Sequence, residues 1–238
     1  MALPQIPAGL KKRLWKHQIS SIQFAIERLR RPGPPRAGLL RMPTATGKTG
    51  VIGALSVAIL PTQWTLVLTP WANLCQQMIE DLSARFWTSR GWLPPAIPAV
   101  ERLFPSTLTE ILDKKDTNLV VVATFATLVA IYKKQRPQYT ELSKHLSQVF
   151  VDEGHYEPAV EWGQAVKQLE KPTVLLTATP YRNDLKLFRV DKKDVQHYTH
   201  KEAEDESVIR KVEFLEMEHA EPTYGKLATW CKEFVKFW

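Results

Sequence analysis

Three short stretches of this 238-residue sequence carry side chains that could act on a phosphate. In MPTATGKT (42–49) a lysine stands between a glycine and a threonine after a run of small residues. A strand-to-helix loop of this kind turns backbone N–H groups and the positive end of a helix dipole toward an anion. Lys48 would reach the β and γ phosphates of a nucleotide as a point charge, and Thr49 would offer its hydroxyl to Mg²⁺. Gly47 would give the backbone room for close approach, with Thr44, Ala45 and Thr46 completing the loop. The strict phosphate-loop pattern asks for glycine where this chain has Met42, so the triplet also suits a plain helix start.

In VFVDEGH (149–155) an apolar run ends in two adjacent acids, which is costly unless they meet something positive. Asp152 could hold Mg²⁺ through water, and Glu153 could orient and deprotonate an attacking water. The competing reading is a turn whose acid caps the next helix; it accounts for one acid better than for two acids and His155. In LLTATP (175–180), Thr177 and Thr179 flank an alanine before a proline, as a compact hydrogen-bonding hinge or as a strand end bonding its own turn.

Such groups need elements that bring them together. Ile19, Ile22, Ala25, Ile26 and Leu29 recur at helical spacing over 14–30, and RPGPPRAG (31–38) interrupts the pattern. The sequence predicts strands at 39–42, 64–69, near 100–104, 119–124, 148–152 and 173–179. It predicts helices at 47–60, stopped by Pro61, and at 71–86, 125–134 and 159–169. The strands are near-continuous apolar runs, which marks strands covered on both faces. The fold class is therefore α/β, a mostly parallel sheet with helices on both sides, in which ligands sit where strands give way to helices.

Bulk composition excludes several classes. Hydrophobic residues make up 44% and charged residues 24%, an ordinary globular mixture. Cys75 and Cys231 are far apart and form no CxxC pair, so neither a zinc knuckle nor a disulfide framework is expected, and a reducing cytoplasm fits. His197 and His200 have no nearby cysteines, so no metal site is expected there. The apolar run 51–60 is too short to span a bilayer, and neither a signal peptide nor a membrane partner is expected. Net charge is +7 overall, yet residues 201–221 hold eight acids against three bases, so the basic surplus lies in the preceding body. A basic body suits a polyanion such as nucleic acid, or simply a solvated surface. The eight tryptophans are assigned to packing, with Trp87 and Trp92, beside a loop, as the exceptions best placed to stack on bases.

Taken in order, the three stretches resemble those of the superfamily-two helicases and translocases, in their first RecA-like domain. MPTATGKT is similar to motif I, with Ala45 where the middle glycine is usual; DEGH is similar to the DEAD/DEAH box, with Gly154 in place of alanine. TATP is similar to motif III, and TATPYRNDLKLF (177–188) resembles type III restriction-subunit helicase domains in particular. The resemblance implies a three-layer, RecA-like P-loop NTPase domain over 1–200, with a Q-motif-like region at 10–30, motif I at 42–49, motif II at 152–155 and motif III at 177–179. It implies an acidic linker and an apolar C-terminal helix over 201–238.

The same resemblance implies roles. Gln18 in LWKHQ (14–18) would read the adenine edge, and His155 would couple the γ-phosphate site to Thr177 and Thr179. Thr69 and Pro70 in LVLTPWANLCQQ (66–77), and Thr124 in VVATFATL (121–128), would touch a nucleic-acid backbone, although Thr69 and Thr124 could equally cap helices. The cofactors implied are ATP and Mg²⁺, and the polymer is DNA in preference to RNA. About sixty residues follow motif III, fewer than a second RecA-like domain needs. That half, with its arginine finger, is expected from a partner chain or a missing segment, and hydrolysis without it is expected to be weak. Two other readings stand beside this one: an inert nucleotide- or nucleic-acid-binding remnant, and a P-loop kinase or other NTPase, in which DEGH and TATP would have no task.

Overall fold

The computed structural model describes residues 5–31, 37–59, 64–89, 91–94, 97–114, 118–153, 160–179 and 190–211. Seven strands form one sheet: β1 (Ala37–Arg41), β2 (Trp64–Thr69), β3 (Ala99–Arg102), β4 (Leu119–Thr124), β5 (Leu146–Asp152), β6 (Thr173–Thr177) and β7 (Val195–His197). Their order is β3-β4-β2-β5-β6-β1-β7, and every pairing is parallel. The fold is α/β, as the apolar strand runs require.

The helices are α1 (Ala8–Lys11), α2 (Lys16–Leu29), α3 (Lys48–Gly53), α4 (Ala72–Leu82), α5 (Ala84–Ser89), α6 (Leu108–Leu112), α7 (Phe125–Lys134), α8 (Arg136–His145), α9 (Val160–Lys167) and α10 (His200–Asp205). Alternate strand residues face opposite sides of a sheet. Here both sides are covered. Leu66, Leu68, Val121, Ala123, Val149 and Val151 point into a core shared with Leu128, Ile131, Leu142 and Trp162. Val67, Val120, Val122, Phe150, Val174 and Leu176 point into a second core with Ile22, Ile26, Val51, Met78 and Leu82. Among the described residues, no helix is long and apolar enough to cross a membrane.

Several boundaries differ from expectation. The helix predicted over 71–86 breaks at Ser83, whose backbone is extended and whose hydroxyl donates to the Ile79 carbonyl at 2.6 Å. A serine that bonds back one turn gives the chain an alternative to continuing the helix. The helix after the phosphate loop keeps α geometry to Gly53 and then runs as π-helix over Ala54–Ile59. Strand β7, α6 and α8 were not anticipated. Past residue 200 the chain still packs on the second core through Ala203, Val208 and Ile209.

Candidate functional site

The sheet order makes β5, β6 and β1 neighbours, so the three stretches leave the same carboxyl-terminal edge side by side. Asp152 lies opposite Leu176, and Arg41 lies opposite Thr177. The Met42 amide donates to the Thr177 carbonyl at 2.9 Å, fastening the start of the loop to the end of β6.

The loop itself needs two left-handed residues. Gly47 has φ 79° and Ala45 has φ 65°. For alanine that conformation costs roughly 1–2 kcal/mol, so the substitution of the usual glycine at 45 carries the penalty that its position implies. At Gly47 a side chain would also collide: an added Cβ would lie 2.4 Å from Gln18 Nε2. Thr46 is buried and its hydroxyl donates to the Pro43 carbonyl at 2.7 Å, while Thr44 and Ala45 are exposed.

Lys48 stands at the start of α3, only 9% exposed, with Nζ 3.1 Å from Glu153 Oε1. Glu153 reaches that position from a left-handed backbone, φ 52°. A non-glycine residue held there stores strain that the surroundings must impose, a pattern found at functional sites. Next to it, Asp152 Oδ1 is enclosed with no hydrogen-bond partner among the described residues. Burial pushes the Asp152 carboxyl up to about 6; the Glu153 charge adds to the effect, and Lys48 opposes it. An enclosed, unsatisfied carboxylate oxygen is poised to accept a donor or a cation. Thr49 is half-buried one residue beyond Lys48, and a hydroxyl and a carboxylate are the kind of oxygen donors with which proteins hold Mg²⁺ alongside substrate phosphates. The residues present therefore fit that ion.

Gln18, Thr177, Thr69 and Thr124 each make hydrogen bonds within the fold. Gln18 is fully buried: its Nε2 donates to the Gly47 carbonyl at 3.0 Å and its Oε1 accepts from the Trp15 amide at 3.2 Å. In this arrangement it braces the loop from beneath. Thr177 Oγ1 accepts from the Thr179 amide at 3.2 Å, the self-bonded turn weighed for this stretch. The Thr69 hydroxyl is buried, donating to the Trp71 carbonyl at 3.2 Å and lying 3.0 Å from Cys75 Sγ. Burial pushes the Cys75 thiol up, opposed by that hydrogen bond and by the charge of Arg102. Thr124 caps α7, accepting from the Thr127 amide at 3.1 Å. Pro70 is half-buried at the end of β2. His155 lies outside the described residues. Trp87 is a correction: it is completely buried, edge-on to a half-buried Trp92 at 5.4 Å, because Trp87 fills the space beside Gly53 of α3 and Leu82 of α4 while Trp92 packs against Gly9 of α1. Among the described residues, the exposed tryptophans are Trp71 and Trp15.

Sequence reasoning missed His17. Its Nε2 lies 2.9 Å from the Thr46 carbonyl, which can only accept, so this nitrogen carries the hydrogen. The ring is stacked on Tyr198 at 4.1 Å and on Trp15 at 5.5 Å, and the Tyr198 hydroxyl donates to Glu206 Oε2 at 2.9 Å. The signal was present in LWKHQ, where an aromatic and a histidine precede Gln18, but Tyr198 is 181 residues away.

The sequence profile of the family described as the type III restriction enzyme res subunit matches residues 11–182. Among solved structures, the chain resembles a nuclease-deletion mutant of the type ISP restriction-modification enzyme LlaGI in complex with a DNA substrate mimic. The TM-score is 0.51 at 18% identity, covering 70% of this chain and 17% of that one. It also resembles the DUF1998 helicase MrfA, with TM-score 0.53, 20% identity and coverage of 76% of this chain and 30% of that one. The same helicase bound to DNA matches with TM-score 0.53, 19% identity and coverage of 78% and 26%. The chain thus spans less than a third of the length of these relatives. No curated protein matches it in sequence.

Proposed function

The chain belongs to the family of the type III restriction enzyme res subunit, and we propose that within it this chain is the ATP-binding part of a nucleic-acid-dependent ATPase, a DNA helicase or translocase of restriction type. One observation carries the reading: the Lys48 ammonium and the Glu153 carboxylate meet at 3.1 Å beside a loop with a left-handed Gly47 and an Asp152 oxygen with no partner among the described residues.

On this reading the amides of residues 44–49 and Lys48 bind the phosphates of ATP. Thr49 and Asp152 hold Mg²⁺, which when bound would neutralise charge on the β and γ oxygens. Glu153 orients a water for in-line attack and accepts its proton. Asp152 must be ionised to serve, and an adjacent cation would offset the burial that now favours its protonated form. Gln18, buried with both ends of its amide bonded within the chain, holds the loop at Gly47, and His155, Thr177 and Thr179 relay the state of the γ-phosphate. Pro70, Thr69 through its backbone, and Thr124 lie along the edge that follows a nucleic-acid strand. A second RecA-like domain, from a partner chain or a further segment, supplies the arginine finger, and turnover is slow without it.

The test is phosphate release from ATP with no DNA, single-stranded DNA and duplex DNA. Stimulated turnover that vanishes in Lys48→Ala supports the proposal. ATP affinity unchanged in Lys48→Ala would sink the phosphate-cradle assignment. Tight nucleotide binding with no release under any condition would favour the inert remnant.

A further inference from the structure

On β2, which pairs with β5, and on β4 and β3 beyond it, the same edge of the sheet has a different character from that beside the acids. Trp71 is 47% exposed and Phe104 is 39% exposed, two of the five large apolar side chains that stand in solvent among the described residues. Trp71 follows the end of β2 by two residues, and Phe104 follows the end of β3 by two residues. Strand β4 lies between them: Thr69 is opposite Thr124, and Arg102 is opposite Val122. Neighbouring strands are spaced by about 4.8 Å, so the two aromatic residues follow strands about 10 Å apart, with Thr124 between.

Neither aromatic is on a loose loop. The Trp71 carbonyl accepts from the Thr69 hydroxyl and, at 3.1 Å, from the Cys75 amide. Beside Phe104, Leu103 is buried and its amide donates to the Val122 carbonyl at 2.9 Å. The Phe104 amide donates to Thr107 Oγ1 at 3.1 Å. The charge here is positive. The Arg102 guanidinium sits 4.8 Å from the centroid of the Phe104 ring, and it is close enough to Cys75 to act on that thiol. Glu101, the acid next to it, is neutralised by Lys114 at 2.6 Å.

Exposed aromatic rings fixed beside a cation match the chemistry of unpaired bases on a phosphate backbone. A duplex keeps its base faces inside its own stack and offers these rings nothing. We infer that Trp71 and Phe104 form a base-stacking platform, with Arg102 as its phosphate or cation–π partner, that grips single-stranded nucleic acid across the ends of β3, β4 and β2. The inference rests on the nucleic-acid reading above and adds to it: the strand is held by its bases as well as its backbone, and single strand is preferred to duplex.

The test uses the full chain and anisotropy of a dye-labelled oligothymidine against an abasic oligomer of equal length, with melting curves and ATP-analogue binding as controls. The parent should prefer oligothymidine. Trp71→Ala and Phe104→Ala should each weaken oligothymidine binding about tenfold or more and leave abasic binding unchanged, while Trp71→Phe restores most of the loss. If the parent binds both oligomers equally and Trp71→Ala changes nothing, the platform is wrong and backbone binding stands. If the parent binds neither oligomer while still binding ATP, the nucleic-acid reading itself fails. A change of oligomeric state in Trp71→Ala without a change in strand affinity would assign the patch to protein contact and overturn the inference.

Discussion

Over β5, β6 and β1 the edge of the sheet carries Lys48 at 9% exposure, paired with Glu153 and braced from beneath by Gln18 and His17; over β3, β4 and β2 it carries Trp71 at 47% exposure. Both regions are made by parallel strands ending in helices, from the same kind of apolar sequence. They differ in what is enclosed. In the first, charges are buried, so each must meet an opposite charge or a donor, and the backbone is held in left-handed conformations at 45, 47 and 153. In the second, the hydroxyls of Thr69 and Thr124 are spent on the fold itself, and the side chains left facing solvent are aromatic. A compact, polar, strained cluster suits a small charged ligand. A shallow surface with rigid rings suits a polymer that passes over it.

The strongest way to break this contrast is Glu153→Gln. Removing the base should lower DNA-stimulated ATP turnover by about 10²–10⁴-fold while nucleotide binding persists, as read by phosphate release beside an ATP-analogue titration. Lys48→Ala should weaken ATP–Mg²⁺ binding on the order of a hundredfold or more, the scale of removing one partner of an enclosed charge pair. Oligonucleotide binding without nucleotide should be unaffected; if it falls equally, the two regions are one site.

A third test concerns Asp152 in metal-free solution. Its carboxyl titrates at about 6 in the folded chain and near 3.9 when unfolded. Between those values the folded chain holds a proton that the unfolded chain has lost, so the contribution of this group to stability falls as pH rises. It is fully present below about pH 4 and lost above about pH 6, a change of about 3 kcal/mol. Denaturant melts of the parent and Asp152→Asn should therefore diverge across that window, and parallel curves would refute the burial argument. The smallest effect expected is in Ala45→Gly, which relieves the left-handed alanine and should stabilise the chain by at most about 1 kcal/mol without altering strand binding.

Much of the first region was legible because its residues are close in sequence to strong signals. Gly47, Lys48 and Thr49 follow an apolar strand, and Asp152 and Glu153 end another; once the sheet is parallel, they share an edge. The strain at Ala45 was legible as a condition, since a missing glycine matters only if φ is positive, and it is. What the sequence hid was either distant or polar. Tyr198 reaches the phosphate loop through His17 because β7 pairs with β1, and a three-residue half-polar strand leaves almost no pattern. Helix α8 opens with Arg136 and Pro137 and is largely polar, so its apolar stripe is reduced to Tyr139 and Leu142. Trp87 and Trp71 could not be told apart by type. Only packing reveals that one fills the core and the other stands in solvent.

On the proposed reading, the Lys48–Glu153 contact would set an order of events. One ammonium cannot fully serve a carboxylate and a triphosphate at once, so an arriving γ-phosphate would compete Glu153 away from it. Until then the proposed base would be occupied and idle. Readiness would thereby be conditional on being loaded, a safety catch written in two side chains.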